Sequence, residues 1–131
     1  MRSLELGLGL GGRLVGLSWP HRLAHFLAQI GHESGGFRFD REVWGPTAAQ
    51  TRYDTRTDLG NTPEVDGDGL LFRGRTGIQI TGRANTVLFR EWGRARFAEV
   101  PDFEADPDAM LSDPWEGLGP VWYWDHAGLN R

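Results

Sequence analysis

A helical pattern that ends abruptly in glycine is the strongest constraint that this sequence places on its fold. After Pro20, apolar residues recur at the i, i+3, i+4, i+7 spacing of one buried helical face: Leu23, Phe26, Leu27 and Ile30. Pro20 suits the first turn of a helix, and the glycines at 35 and 36 supply the positive φ with which helices commonly end. The sequence therefore predicts a helix from Pro20 to about Ser34, with Glu33 in its last turn.

Two further helices are predicted in the second half of the chain. One covers 84–98, with Leu88, Phe89 and Trp92 on its buried side and its arginines, Arg90 among them, in solvent. The other begins near 113 and runs to about 126. Its tryptophans at 115, 122 and 124 are expected in the core.

The start of the last helix carries its own signal. Asp113 is placed to cap the helix, and Pro114 to occupy the first helical position. Between the predicted helices, 37–72 is rich in turn residues and 78–81 alternates like a short extended segment. The predicted fold class is mainly α, with long loops that form a cleft and at most a small sheet.

Composition excludes several classes of protein. The 131 residues suit one domain, and the absence of cysteine removes disulfides and thiolate metal sites. A net charge of -4, with scattered arginines as the basic residues, argues against nucleic-acid binding. His21 and His25 have i, i+4 spacing, but no third ligand is evident, so no metal or other cofactor is expected.

Two carboxylates flank the glycine turn. Glu33 ends the first predicted helix, and Glu42 lies nine residues further on, across the turn. A pair of carboxylates facing each other across a cleft is what the hydrolysis of a glycosidic bond requires. Apolar neighbours of Glu33 would favour its protonated form, as a general acid needs. The ordinary alternative is that both are solvated surface charges.

Polar and aromatic residues downstream permit two interpretations. Gln79, Thr81 and Asn85 could satisfy local backbone groups at a helix start, or they could line a cleft and bind sugar and water. Trp44, on the loop after Glu42, is a candidate for stacking on a sugar ring. His32 is expected to brace the Glu33 turn by hydrogen bonding.

An ordered set of motifs resembles glycoside hydrolase family 19, most of all its phage-endolysin and bacterial chitinase-like branch. The resemblance runs from about Leu23 to Asn130. It is carried by His32-Glu33-Ser34-Gly35-Gly36-Phe37, Tyr53, Asp58-Leu59-Gly60-Asn61, Phe72-Arg73-Gly74-Arg75, Ile78-Gln79-Ile80-Thr81-Gly82-Arg83-Ala84-Asn85, Trp122-Tyr123-Trp124-Asp125 and Gly128-Leu129-Asn130.

The resemblance implies a lysozyme-like fold and the hydrolysis of β-1,4 bonds between N-acetylated sugars with inversion. It assigns the general acid to Glu33 and the general base to Glu42. Water positioning and substrate binding fall on Gln79, Thr81 and Asn85. Trp44, Tyr53 and His32 complete the candidate substrate and water contacts.

The sequence also departs from the family pattern. Thr76 stands where relatives commonly have glycine, and Thr86 where a tyrosine often follows the asparagine. Relatives continue past Gly-Leu-Asn into a further helical segment, so the expected organisation is an N-terminal segment at 1–19 and a C-terminally short family 19-like catalytic domain at 20–131. Two alternatives stay open: a lytic transglycosylase using Glu33 alone, and a catalytically inactive glycan-binding protein.

The expected partner is a cell-wall polysaccharide, either peptidoglycan or chitin, with no nucleic acid. No segment approaches the roughly 20 apolar residues of a membrane span. The leucine-rich N-terminus lacks a convincing signal peptide, because Glu5 and Arg13 interrupt it and no cleavage site follows. We expect a monomer made in the cytoplasm that acts on the cell wall after release.

Overall fold

The computed structural model describes residues 2–34, 36, 52, 56–61, 67–78 and 80–130. Within these ranges it contains no β-strand, only an isolated antiparallel bridge between Arg75 and Ile80. The mainly α fold is therefore confirmed. The α-helices are α1 (Arg2–Gly11), α2 (Pro20–Glu33), α3 (Asp68–Leu71), α4 (Arg83–Arg94) and α5 (Trp115–His126), and short 3₁₀ helices cover Arg13–Val15, Thr57–Leu59 and Pro107–Leu111.

Helix α2 has the bounds that its sequence predicts. Phe26 and Ile30 are buried in the core, and Leu23 and Leu27 pack against it at the margin. At the C-terminal end, the backbone N–H of Ser34 donates to the Ile30 carbonyl at 2.9 Å, and the Ser34 hydroxyl donates to the same oxygen at 2.6 Å. These bonds satisfy a carbonyl that the end of a helix leaves without an intrahelical partner.

Helix α5 lies at the centre of the molecule and is buried over most of its length. The ring of Trp124 meets that of Phe26 on α2 edge to face, with centroids 5.4 Å apart. The ring of Trp122 stacks on that of Phe89 on α4, also at 5.4 Å. The expected core positions of Trp115, Trp122 and Trp124 are confirmed, and α5 joins the other long helices into one core.

Helix α1 packs directly on the start of α5 through glycine. A Cβ atom added to Gly7 would lie 2.2 Å from the carbonyl carbon of Gly117, and one added to Gly117 would lie 1.6 Å from the carbonyl oxygen of Ser3. Both distances are shorter than any real carbon contact, so the two backbones touch only because neither residue has a side chain. The N-terminal residues are thereby part of the same packed core.

The predicted cap of the last helix is wrong. Helix α5 begins at Trp115, Pro114 occupies the N-cap position, and no side chain caps the helix. The carboxylate of Asp113 instead accepts a hydrogen bond from the Ser3 hydroxyl. Because α1 lies so close, Asp113 serves the junction between the two helices and not the helix that follows it.

Helix α4 is shorter than the predicted 84–98, and two of its residues differ from the prediction in their burial. Phe89 and Trp92 are buried as expected, but Leu88 is 46% exposed, because the buried stripe is centred on Phe89 and Leu88 lies beyond its edge. Arg90 is mostly buried and donates to Asp102 at 2.6 Å and to Glu91 at 2.9 Å. Its guanidinium holds the pKa of the Asp102 carboxyl below the ordinary value.

None of the described helices combines the length and the apolar composition that crossing a membrane would take.

The contact between α1 and α5 gives a direct test of the fold. Gly7→Ala should lower the free energy of unfolding by about 3 kcal/mol or more, because the new methyl group overlaps backbone atoms that have no rotamer to move to. Gly9→Ala is the matched control: it is also in α1, but its added Cβ meets no atom within 4 Å. Gly9→Ala should raise the free energy of unfolding by about 0.5–1 kcal/mol, because alanine has a higher helix propensity than glycine. Urea unfolding measures both, and equal effects would contradict the packing.

Candidate active site

An open groove of about 730 Å³ lies along one polar face of α2. One side is α2 itself, and the other is formed by the end of α5, the C-terminal turn and the tip of the 75–80 turn. The described lining residues are His21, Arg22, His25, Gln29, Glu33, Ile78, Tyr123, Trp124, Ala127, Leu129 and Asn130.

Four lining residues form a regular row on α2. His21, His25, Gln29 and Glu33 follow one another at intervals of four, so they lie on the same side of the helix. At 1.5 Å of rise per residue, the row is about 18 Å long. The groove is therefore elongated, with Glu33 at one end and His21 at the other.

Glu33 lies in the last turn of α2 and points into the groove. The side-chain amide of Gln29 donates to the Glu33 Oε1 at 2.8 Å, which fixes the orientation of the carboxylate. Glu33 is exposed. The burial that apolar neighbours were expected to give Glu33 is therefore not seen among the described residues, because the buried stripe of α2 faces the opposite way.

The turn at 75–80 brings Ile78 to the Glu33 end of the groove. Arg75 and Ile80 exchange backbone hydrogen bonds of 3.2 and 2.7 Å across its base. Arg75 is buried and its guanidinium donates to the carbonyls of Leu71 and Arg73 and to the Asp108 carboxylate at 2.8, 3.0 and 2.9 Å. Such a network fixes the base of the turn, and so the position of Ile78.

Thr76 within this turn has an unusual conformation for its residue type. It adopts a φ of 67° and is fully buried, and its hydroxyl has no hydrogen-bond partner among the described residues. A Cβ added to Gly119 would lie 2.8 Å from Thr76 Cγ2 and 3.0 Å from its Oγ1. The bulk of Thr76 is thus accommodated by the absence of a side chain at Gly119 on α5.

The C-terminal turn forms the far side of the groove and is tied to the N-terminal part of the chain. The indole N–H of Trp124 donates to the Asn130 Oδ1 at 2.8 Å, and the Asn130 amide donates to the Val15 carbonyl at 2.6 Å. Asn130 therefore has a structural role in the described part of the chain, while Leu129 and Tyr123 offer side chains to the groove.

Two predicted substrate contacts, Thr81 before α4 and Asn85 in its first turn, are not among the described lining residues of this groove. The Asn85 amide donates to the Thr81 carbonyl at 3.1 Å, so Asn85 satisfies a local backbone group. The structure thus shows the local contact of Asn85, and the role of Thr81 and Asn85 in substrate binding stays a prediction.

The remaining predicted site residues are distributed as follows. Glu42, Trp44, Tyr53 and Gln79 lie outside the described residues. His32 is exposed in the last turn of α2, and its side chain makes no hydrogen bond to another described residue. The expected bracing role of His32 is not seen there.

Several groove residues were missed by the sequence analysis. Gln29 was not among the predicted site residues, Tyr123 was noted only as part of a family motif, and the two histidines were considered only as metal ligands. Among the residues that the structure describes, no group of three or more histidine or acidic side chains could hold a metal ion. The spacing of four residues back from Glu33 was the available signal for Gln29, His25 and His21.

Comparison with known proteins shows a sequence similarity to a glycosyl hydrolase family 19 domain-containing protein. No protein-family model matches the chain. A glycosyl hydrolase family 19 domain-containing protein of Haemophilus influenzae is 34% identical over 126 residues, an alignment that covers 77% of this chain and 60% of the relative. The resemblance stated from the motifs is thereby confirmed, and the chain spans about three fifths of that relative's length.

The fold is shared with a chitinase of known structure. Chitinase C from Streptomyces griseus matches with a TM-score of 0.64 at 19% identity, over 94% of this chain and 46% of the chitinase. A mutant of chitinase C matches with a TM-score of 0.62 at 21% identity, over 95% and 47%. The predicted lysozyme-like, mainly helical fold is confirmed.

The contact between Thr76 and Gly119 is testable by a double-mutant cycle. Gly119→Ala alone should destabilise by about 1–2 kcal/mol, because the clash with Thr76 outweighs the gain in helix propensity. In a Thr76→Gly background the same change should cost much less, since both Thr76 atoms are gone and the remaining close neighbour, Ile80 Cδ1 at 3.1 Å, is the end of a flexible side chain. Urea unfolding should give an interaction free energy of roughly 1–3 kcal/mol. Additive effects would mean that the two residues do not touch.

Proposed function

We propose, from the premise that this chain is a homologue of the glycoside hydrolase family 19 domain, that it hydrolyses β-1,4 glycosidic bonds between N-acetylated amino sugars of a cell-wall polysaccharide. The polymer is peptidoglycan or chitin. Glu33 is the general acid, Glu42 is the general base, and the reaction inverts the anomeric centre.

The observation that carries this proposal is the position of Glu33. Its carboxylate stands at one end of an elongated groove, where it is exposed to a bound polymer and oriented by the Gln29 amide. The groove volume lies within the range of about 300–1,000 Å³ that is usual for ligand sites. An elongated groove of this kind suits a chain of sugars, because several rings can lie along it.

The chemistry requires a proton donor on one side of the bond and a base on the other. Protonated Glu33 gives its proton to the leaving oxygen, while ionised Glu42 takes a proton from the water that attacks the opposite face of the ring. Inversion requires a separation of about 6.5–9.5 Å between the two carboxyls, which leaves room for this water. We assign Thr81 to share the attacking water with Glu42.

Binding of a sugar chain in the groove would also remove the exposed Glu33 carboxyl group from water. A sugar chain that covers the carboxyl group displaces water from it, and loss of water favours the neutral acid over the carboxylate. The remaining substrate contacts are proposed for Gln79, Asn85, Trp44 and Tyr53, with the aromatic rings against sugar faces and the amides on hydroxyl and N-acetyl groups. The chain works as a monomer on the cell wall after release from the cytoplasm.

Glu33→Gln tests the general acid. The variant should lose about 10²–10⁴-fold in the rate of reducing-end release from peptidoglycan and from chitooligosaccharides, because the amide has no proton to give at neutral pH. The free energy of unfolding should stay within about 0.5 kcal/mol, since the side chain is exposed.

Glu99→Gln is the control for Glu33→Gln, because Glu99 is also exposed and lies outside the groove. It should retain full activity. Undiminished lysis of permeabilised Gram-negative cells by the Glu33→Gln chain would contradict the assignment. Glycan binding by the unmodified chain without any release of reducing ends would support the inactive, glycan-binding alternative instead.

Glu42→Gln separates hydrolysis by two carboxylates from the transglycosylase alternative. If Glu42 activates water, the variant should lose about 10²-fold or more in rate while its products keep ordinary reducing ends. A lytic transglycosylase uses one glutamate for all proton transfers and forms an anhydro-sugar without water. Near-full activity of Glu42→Gln with anhydro ends, read by mass spectrometry, would overturn the inverting mechanism.

A further inference from the structure

The end of the groove farthest from Glu33 has a basic character that the chain as a whole does not share. The protein carries a net charge of -4, yet His21, Arg22 and His25 all line this end. Among the described lining residues, Glu33 is the one carboxylate, and it lies about 12 Å from His25 and about 18 Å from His21 along α2. An excess of cationic and N–H donor groups in a groove favours an anionic ligand.

Arg22 is held in place by the chain before α2. Its Nη1 donates to the Gly16 carbonyl at 3.4 Å, and a Cβ atom on Gly16 would lie only 2.8 Å from the same nitrogen. Gly16 thus leaves room for the guanidinium against the backbone. That one long contact leaves the other guanidinium N–H groups able to bind an oxygen pair in the groove.

Two neighbouring features suit a sugar that carries a negative charge. The Trp19 ring is 60% exposed, whereas the other described tryptophans are buried, and its centroid lies 6.5 Å from that of His21. Trp19 is also the N-cap residue of α2 and supplies no side-chain acceptor to the helix start. The positive end of the helix dipole, which no side chain caps, therefore lies next in the chain to His21 and Arg22.

We propose that His21, Arg22 and His25 form an acidic-sugar subsite, which binds the carboxylate of a glycan more than one ring away from the bond at Glu33. This inference rests on the proposed function and narrows it. It selects amino-sugar polymers that bear free carboxylates, such as peptidoglycan strands from whose lactyl groups the stem peptides have been removed, over chitin, whose groups are neutral.

The chemistry of selection is a difference in ionic hydrogen bonds. A carboxylate accepts two parallel bonds from a guanidinium and further bonds from imidazole N–H groups, and such charge-assisted bonds are the strong ones. An N-acetyl or hydroxyl group at the same place accepts only ordinary bonds. Peptide-free peptidoglycan strands and chitin share the linkage and the acetamido groups. A difference in affinity between them must therefore come from the lactyl carboxylate.

Binding to matched glycans tests the subsite. The ligands are peptidoglycan strands freed of stem peptides, the same strands with their carboxylates amidated, and chitooligosaccharides. Titration calorimetry compares three proteins that all carry Glu33→Gln. The first has no other change, the second also carries His21→Gln and His25→Gln, and the third also carries Arg22→Gln. Arg13→Gln is the control, because Arg13 is an exposed arginine of the N-terminal region that does not line the groove.

We expect the Glu33→Gln chain to bind carboxylate strands about tenfold more tightly than amidated strands or chitooligosaccharides. The histidine pair and Arg22→Gln should each remove most of that preference and leave the affinity for amidated strands within about twofold. Arg13→Gln should retain it. If Arg22→Gln lowers the unfolding temperature, a loss of binding in that variant can reflect lost structure. The variant in which both exposed histidines are replaced then decides whether the subsite exists.

Equal weakening on charged and amidated strands, or none on either, would overturn the subsite. The outcome is also separable from that of the proposed hydrolysis. A preference that disappears in the subsite variants supports the subsite even if the unmodified chain cleaves no glycan. Cleavage that depends on Glu33 without any such preference supports the hydrolase and rejects the subsite.

Discussion

The structure depends on the close approach of backbone to backbone at the centre of the molecule. Helix α5 contacts α1 where Gly7 meets Gly117, and it contacts the 75–80 turn where Gly119 meets Thr76. A Cβ atom at any of the three glycines would lie closer to the facing element than a normal van der Waals contact allows, so the two elements would have to move apart. Because interiors are packed as densely as crystals, such a separation would be transmitted to every neighbour of α5.

This central helix also determines where the groove lies. Trp124 packs on Phe26, so the apolar stripe of α2 faces α5 and the row from His21 to Glu33 faces outward. The same α5 holds Thr76 and thereby the turn that carries Ile78 to the groove. Asn130 then links Trp124 to Val15 and closes the far side. The orientation of Glu33 is thus a consequence of core packing as much as of its own sequence motif.

The sequence predicts α2 well because its periodicity, its proline start and its glycine stop all agree. It fails where a tertiary contact overrides a local signal: Asp113 caps nothing because Ser3 takes its carboxylate, and Leu88 is exposed because Phe89 centres the buried stripe. The packing of Gly7 against Gly117 was not predictable from the sequence. A glycine by itself indicates a turn or a weak helix, and the helix that contacts it is known only from the fold. In the site, Glu33 was found from a motif, whereas Gln29, His21 and His25 required knowledge of which face of α2 the core leaves open.

The two tasks proposed for the ends of the groove, proton donation at Glu33 and binding of a carboxylate at the basic end, are compatible because the ends are separated along α2. A general acid must gain a proton when substrate arrives, and cations close to it would oppose this by favouring the carboxylate. The basic residues are therefore useful only at a distance from Glu33. About 12–18 Å of helix exceeds the screening length of roughly 8 Å at physiological salt. At that range, solvent and salt screen the interaction between the Glu33 carboxylate and the basic groups of the proposed subsite, His21, Arg22 and His25.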